Sequence, residues 1–387
     1  MVKIKIDVER ILFFTKRNIM VYNFNMQRRN FIKSSVCLSC IGLIGCSKIN
    51  YTSFFNGDNI KNFDHTKSKF FYKNENELPK KLRIEGCSLC QLNCVKCGVR
   101  KLEKRMPKNW LGYLKFKDFK KFIDAHSFIE EIDLTDKGEL FLNPELDEII
   151  KYAYKKNVKL TANAGTNFNT VSDTTLENLV KYKFQSIKIA IDGATPKTYS
   201  KYRRGGNFDT VISNIKKINS YKTKHNSEYP KLYWQFILFG HNEHEIEKAK
   251  KMAKDLNMKI LFFKNGVPTY SPLKNPKLAL SQAGIPLDEE KEMLKPCYAF
   301  FHTPQIDHSG LLYGCCFRKI MSFEVNVFKK GLLNALNSPN VIYAKEMLTN
   351  YAVSPIDNVP CSECPEYKYA KKNNYTFPLD YVRIEEI

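Results

Sequence analysis

The chain has 387 residues, of which 43% are hydrophobic and 26% are charged, and its formal net charge is +22. This composition is ordinary for a globular protein and excludes a disordered tail, a collagen-like fibre and a multi-span membrane protein. The basic excess is mostly lysine on predicted helix faces, without a basic stripe interleaved with aromatic residues. We therefore expect no nucleic-acid partner. The length allows one large domain and a smaller one.

Residues 26–46 predict an export signal. Arg28 and Arg29 precede a weakly apolar run that is too short to span a bilayer and ends in LIGC at Cys46. The paired arginines resemble a twin-arginine signal. The LIGC sequence resembles a lipobox, in which Cys46 becomes a lipidated, membrane-anchored N-terminus. A short buried helix is the alternative interpretation.

The segments around this signal carry little further information. If Met26 is the true start, residues 1–25 are an upstream extension without a role of their own. Residues 47–79 are polar, rich in Asn and Lys, and aperiodic, which predicts a linker.

From residue 80 the pattern alternates between strands and amphipathic helices. The predicted strands are 81–86, 131–134, 158–162, 186–192, 232–239 and 259–263. The predicted helices are 116–125, 145–155, 174–183, 208–221 and 243–256. Six β/α units predict an α/β fold, a partial (β/α)6 TIM-like barrel over residues 80–290 with helices outside a parallel sheet. Its chemistry is expected at the carboxyl ends of the strands.

The last quarter of the chain, residues 291–387, loses this alternation. It contains five cysteines at positions 297, 315, 316, 361 and 364. Because little apolar pattern is available to form a core, we expect a small cysteine-rich domain that is held together by metal.

The most informative segment lies directly after the first strand. Cys87 and Cys90, and then Cys94 and Cys97, form two CxxC pairs, but only three residues separate the pairs, whereas zinc ribbons need a longer arm. By contrast, Cys90, Cys94 and Cys97 present three thiolates from one tight loop. A four-iron cluster bound by three thiolates leaves one iron open to a small molecule.

This CxxxCxxC loop after the first strand of a partial barrel resembles the radical S-adenosylmethionine (SAM) superfamily. The resemblance implies a [4Fe-4S] cluster on Cys90, Cys94 and Cys97, whose open iron binds the amino and carboxylate groups of SAM. It further implies that one electron from a flavodoxin- or ferredoxin-type donor cleaves SAM to a 5′-deoxyadenosyl radical. That radical would abstract hydrogen from a peptide, a sugar or another polar substrate.

Two further stretches are similar to family motifs that contact SAM. Gly138 and Glu139 stand where the family has a Gly-Glu-Pro motif, although Leu140 replaces the proline. Asp192 belongs to the run Ala190-Ile191-Asp192-Gly193 at the end of the fourth strand, which is similar to the family's Ser-x-Asp-Gly. The resemblance also implies that Arg203 holds the SAM carboxylate, because a planar guanidinium pairs bidentately with a carboxylate.

The C-terminal cysteines resemble the opening of a SPASM extension, with Gly310 between Cys297 and Cys315 as the glycine of a hairpin turn. The resemblance implies one auxiliary [4Fe-4S] cluster in a SPASM-like domain over residues 291–387. Zinc is the alternative metal, and Cys316 is an alternative ligand to Cys315. The predicted ligands are Cys297, Cys315, Cys361 and Cys364.

Three functions from different classes remain open. The first is a radical SAM enzyme with unassigned catalytic residues, and the second is a non-catalytic iron–sulfur protein on a degenerate barrel. Ala190, which stands where relatives offer a hydroxyl to the SAM ribose, favours the second. The third is a basic zinc protein that binds nucleic acid. The signal predicts an exported, membrane-anchored protein, whereas the supply of SAM and reductant favours the cytoplasm.

Overall fold

The central feature of the computed structural model is an eight-stranded sheet in the unit Gly57–Ile387. The structure describes residues 11–15, 18–22, 60, 63–98, 110–265, 269–275, 278, 281–282, 285–286, 297–315, 321–357 and 359–374. The unit Met1–Asn56 contributes one antiparallel pair, β1 (Ile11–Thr15) and β2 (Asn18–Tyr22). The export signal predicted at 26–46 and Cys46 lie outside the described residues.

Six parallel strands form most of the sheet and neighbour one another in chain order. They are β3 (Lys81–Ile84), β4 (Glu131–Asp133), β5 (Lys159–Thr166), β6 (Ser186–Ala190), β7 (Lys231–Ile237) and β8 (Lys259–Phe263). Each corresponds to one predicted strand, so the predicted α/β fold with an open, partial TIM-like barrel is confirmed. Two short strands, β9 (Ser281–Gln282) and β10 (Ile285–Pro286), form a separate antiparallel pair.

Helices follow the strands as the apolar pattern predicted. They are α1 (Phe116–Ala125), α2 (Leu146–Lys155), α3 (Asp173–Lys181), α4 (Pro196–Tyr202), α5 (Phe208–Lys224) and α6 (Ile246–Asp255). The sequence analysis missed α4, whose seven residues are mostly polar. Thr195 caps its N-terminus by accepting from the backbone N–H of Thr198, and Pro196 occupies the first turn. This short helix ends at Tyr202, and Arg203 follows it as the C-cap residue.

The two faces of the barrel sheet differ in polarity. The buried strand residues of the face that packs on the helices are Leu82, Ile84, Ile132, Leu160, Ile187, Ile189, Leu232, Trp234 and Phe236. The alternating residues form the inner face, which carries an ion pair between Arg83 and Asp133 at 3.1 Å. On the same face Ser186 Oγ donates to Asn163 Oδ1 at 2.8 Å. Period-two alternation therefore places a polar lining inside the barrel.

The C-terminal segment adds two strands to the edge of this sheet. Strand β11 (Gln305–Ile306) pairs parallel with β3, and β12 (Leu312–Tyr313) pairs antiparallel with β11. This segment also forms the helices α7 (Val327–Lys330), α8 (Leu332–Leu336), α9 (Pro339–Thr349) and α10 (Pro365–Lys372). Leu332, Leu336 and Met347 belong to the same hydrophobic core as the barrel. The last quarter thus has more apolar packing than its sequence pattern indicated.

One lysine of α9 is buried in this core and makes stability depend on pH. Lys345 is 1% exposed, its Nζ donates to the Tyr72 hydroxyl at 3.0 Å, and burial lowers its pKa to about 7. The unfolded chain keeps a pKa near 10.5, so between pH 7 and pH 10.5 it binds the proton that the native state lacks. Stability from this group therefore rises with pH across that window.

We expect Lys345→Met to remove this pH dependence. The free energy of unfolding of the wild type should rise relative to that of the variant by about 1.4 kcal/mol for each pH unit above 7. Denaturant unfolding at pH 7.5 and pH 9 measures the difference, and the exposed Lys216→Met is the control. A stability gap between wild type and Lys345→Met that stays constant with pH would contradict the prediction.

Candidate functional site

The cysteine loop follows β3 and is held by two other parts of the chain. The backbone N–H of Ser88 donates to Gly112 O at 2.9 Å. Farther along, Asn93 N donates to Arg204 O at 2.8 Å and Val95 N to Tyr202 O at 3.1 Å. The loop is therefore anchored at its start by residue 112 and at its tip by the end of α4. It lies at the carboxyl edge of the parallel sheet, as predicted.

The structure brings the three predicted cluster ligands to one place. Burial raises the pKa of Cys90 to about 11, and the charges of Cys94 and Cys97 act on it in the same direction. Burial also raises the pKa of Cys94, again with a contribution from Cys97. Desolvated thiols of this kind lose their protons when a metal supplies compensating charge. Cys87 is only 2% exposed, and its thiol donates to Leu89 O at 3.8 Å, which fits a core residue.

The arrangement of the thiols distinguishes between kinds of metal site. Among the residues that the structure describes, no three Cys, His, Asp or Glu side chains converge as the ligands of one metal ion do. A cubane differs from a single ion because each thiolate binds a different iron, so its ligands lie farther apart. Three thiols on one loop, none of them in a disulfide, fit a cluster with one open iron better than a mononuclear ion.

Gly138 allows the loop after β4 to approach the cysteine loop closely. A Cβ at this position would lie 2.4 Å from the carbonyl carbon of Ser88 and 2.5 Å from the carbonyl oxygens of Cys87 and Leu89. The next residue continues the contact, because Glu139 N donates to Leu89 O at 2.7 Å. The structure thus shows the backbone of the cysteine loop packed against Gly138, and the predicted contact of Gly138 with SAM stays a prediction.

The carboxylate of Glu139 connects this loop to the one after β5. It is 1% exposed and accepts from the backbone N–H of Asn167 at 2.6 Å and of Phe141 at 3.4 Å. Burial raises the pKa of Glu139 to about 7, against the effect of these two hydrogen bonds. Both carboxylate oxygens therefore face backbone groups, and their direct role is to fix the loop after β5.

Asp192 and Arg203 form a buried ion pair beside the cysteines. Arg203 Nε and Nη2 lie 2.6 and 2.5 Å from Asp192 Oδ2, and Arg203 Nη1 lies 3.8 Å from Cys94 Sγ. Asp192 is fully buried with a positive φ of 54°, and its Oδ1 accepts from Ile237 N at 2.6 Å. Burial raises the pKa of Asp192, while the Arg203 charge opposes this shift. The two predicted residues therefore lie together beside the cysteine loop.

The sequence analysis missed a second group of buried ionisable side chains at the same edge of the sheet. Lys137 Nζ lies 3.3 Å from Glu85, and His308 Nδ1 lies 3.1 Å from Glu85 Oε2. Glu85 directly follows β3, and a charged residue directly after a buried strand is a signal that could have found it. Lys137 lies farther along the loop after β4 and carries no such signal. His308 comes from the turn between β11 and β12, which only the tertiary structure places there.

The C-terminal cysteines are brought together in part. Cys297 and Cys364 are buried in one core, and Cys361 packs against it. The rings of Tyr351 and Tyr367, 6.1 Å apart, lie close enough to Cys297 and Cys361 to be influenced by their charges. Cys315 follows β12, and Cys316 lies outside the described residues. Their role as cluster ligands stays a prediction.

The barrel and the cysteine loop match a known family profile. Residues 84–253 match the profile of the Radical SAM superfamily. A search of curated proteins finds no match. In the described part of the chain no helix has both the length and the apolar character needed to cross a membrane.

Among solved structures, the chain is similar to SuiB of Streptococcus suis. It aligns with 15% identity and a TM-score of 0.52, covering 70% of this chain and 69% of SuiB. The structure of SuiB bound to S-adenosylmethionine aligns with the same identity and TM-score, covering 75% of this chain and 72% of SuiB. The complex of SuiB with its precursor peptide SuiA aligns with 16% identity and a TM-score of 0.51, covering 81% of this chain and 77% of SuiB. At this identity the similarity concerns the fold.

Proposed function

We propose that this protein is a radical SAM enzyme that cleaves SAM reductively and abstracts hydrogen from a polar substrate. One observation supports the proposal most strongly. Cys90, Cys94 and Cys97 lie on one loop at the carboxyl edge of the barrel, and the Arg203 guanidinium contacts Cys94 there. This edge belongs to the segment that matches the Radical SAM profile. The cofactors would be a [4Fe-4S] cluster on these cysteines and SAM. When bound, they supply the 5′-deoxyadenosyl radical.

The residues of this chain would bind and orient SAM. The Arg203 guanidinium has five N–H donors, and its contacts with Asp192 and Cys94 use three of them. Two donors therefore remain for the SAM carboxylate. Glu139 holds the loops after β4 and β5 in place, while Gly138 lets the cysteine loop approach β4.

The inner face of the barrel supports a polar substrate. It carries Gln235, whose side chain hydrogen-bonds Asp192, and the Arg83–Asp133 pair, whose side chains are 15% and 11% exposed. Side chains that pair across the lining and keep some exposure suit a hydrogen-bonding molecule better than an apolar one. We propose a peptide or a small polar compound as the substrate. The structure of SuiB with its precursor peptide supports the choice of a peptide.

The remaining proposals concern the electron donor, an auxiliary cluster and the localisation of the protein. They are a flavodoxin- or ferredoxin-type electron donor and one auxiliary [4Fe-4S] cluster on Cys297, Cys315, Cys361 and Cys364. For localisation we propose export and membrane anchorage through Cys46, with a cytoplasmic protein as the alternative.

A non-catalytic iron–sulfur protein is the second candidate. Ala190 supports it, because this residue is 4% exposed and has no hydroxyl to offer the SAM ribose. One assay separates the two candidates. The reconstituted protein is reduced with dithionite in the presence of SAM, and 5′-deoxyadenosine is measured. We expect its formation; a protein that holds the cluster but neither binds nor cleaves SAM would be the second candidate.

We expect Arg203→Ala to weaken SAM binding by about 1.5–3 kcal/mol, the range for a hydrogen bond to a charged group, which is roughly 10- to 150-fold in Kd. Calorimetric titration of the reconstituted protein measures it. The exposed neighbour Arg204→Ala is the matched control and should bind like the wild type. Unfolding of both variants is recorded as well, since Asp192 loses its partner in the first. Equal SAM affinity of wild type and Arg203→Ala would contradict the assignment.

A further inference from the structure

The side-chain amide of Asn167 contacts one of the three cysteines. Asn167 directly follows β5 and is 4% exposed. Its Nδ2 lies 3.8 Å from Cys90 Sγ, within the distance at which an N–H donates to sulfur. The sequence analysis did not single out this residue, because an asparagine after a strand is also a common turn residue.

The surrounding hydrogen bonds determine which way this amide points. Asn167 Oδ1 accepts from Gln91 Nε2 at 2.9 Å and from Asn169 N at 3.0 Å. Two donors on one atom identify it as the oxygen, so the other atom is the NH₂ group. That group faces Gln91 Oε1 at 3.2 Å and Cys90 Sγ. The backbone N–H of Asn167 is fixed as well, by Glu139 Oε2.

A second donor reaches a second cysteine. Arg203 Nη1 lies 3.8 Å from Cys94 Sγ, while Nε and Nη2 of the same guanidinium are held by Asp192. The two thiols thus face donors that other loops of the barrel hold in place. Donors held in this way keep their direction when the charge on the sulfur changes.

We propose that Asn167 and Arg203 are positioning residues that donate hydrogen bonds to the cluster-bound thiolates of Cys90 and Cys94 and thereby raise the reduction potential of the cluster. This rests on the function proposed above. The reduced cluster carries one more negative charge than the oxidised one, so N–H donors at its sulfurs stabilise the reduced state more. Without them the electron donor would have to be a stronger reductant.

The test is a redox titration of the reconstituted protein without SAM, followed by electron paramagnetic resonance. The signal followed is the one that disappears when the three loop cysteines are replaced. In Asn167→Leu we expect the ratio of reduced to oxidised cluster at a fixed ambient potential to fall about tenfold, which is ~59 mV for a one-electron couple. Asn163→Leu removes an amide from the same strand, one that bonds Ser186, and should leave the ratio unchanged.

A second variant covers the case in which Asn167→Leu does not hold its iron. Asn167→Asp keeps the oxygen that accepts from Gln91 and Asn169 but replaces the donor with a second oxygen, so the potential should fall further. An unchanged potential in either variant overturns the inference. So does loss of the cluster from both, because Asn167 would then hold the loop without tuning it. A wild-type protein that binds no cluster on the loop would instead refute the proposed function.

Discussion

Replacing Cys90, Cys94 and Cys97 together with alanine is expected to remove about half of the iron and all formation of 5′-deoxyadenosine. The reason is that these thiols share one loop and would bind one of two equal four-iron clusters. Iron per chain and 5′-deoxyadenosine after reduction with SAM are the two measurements.

Cys87→Ala is the matched control for this variant. The residue lies in the same loop, but its thiol is buried and donates to a backbone carbonyl, so its replacement should leave the iron content unchanged. An iron content in the triple variant equal to that of the wild type would contradict the cluster site. Loss of all the iron would contradict a separate auxiliary cluster on the C-terminal cysteines.

Gly138→Ala is expected to disrupt the same site without touching a ligand. The added Cβ would lie within 2.5 Å of three atoms of the backbone at residues 87–89, and backbone atoms cannot rotate away as a side chain can. The cysteine loop and the loop after β4 would have to separate, at a cost typical of overpacking, about 1–3 kcal/mol. We expect lower unfolding stability together with a reduced iron content.

Gly98→Ala is the control for this substitution. Gly98 follows Cys97 directly, and a Cβ added there meets nothing within 4 Å. Denaturant unfolding and iron analysis of both variants give the comparison. If Gly138→Ala retained the stability and the iron of Gly98→Ala, the close approach of the two loops would not matter for the cluster.

The contacts of Glu139 give a structural role to a motif that the sequence analysis assigned to SAM binding. Its carboxylate lies against the backbone N–H groups of Asn167 and Phe141, and Asn167 in turn contacts Cys90. Through this route the loops after the first three barrel strands fix one another. A substitution at Glu139 would therefore affect the cysteine site through the loop after β5.

Local sequence pattern was sufficient for the barrel and for the cysteine loop. The strand Lys259–Phe263 and the helix Phe116–Ala125 were predicted with their observed bounds, because the period of apolar residues in each depends only on near neighbours. The three cysteines were found for the same reason, since a tight loop brings ligands together by short spacing alone.

Only the tertiary structure decided the contacts that join distant parts of the chain. Strand β11 pairs with β3 although more than two hundred residues separate them, and this pairing carries His308 to Glu85. Asn167 reaches Cys90 across 77 positions, and Arg203 reaches Cys94 across 109. No periodicity encodes such pairs, because they arise when parallel strands align their carboxyl ends at one edge of the sheet. The sequence by itself thus determined the fold and the candidate ligands, whereas the packing of the βα loops decided which side chains surround them.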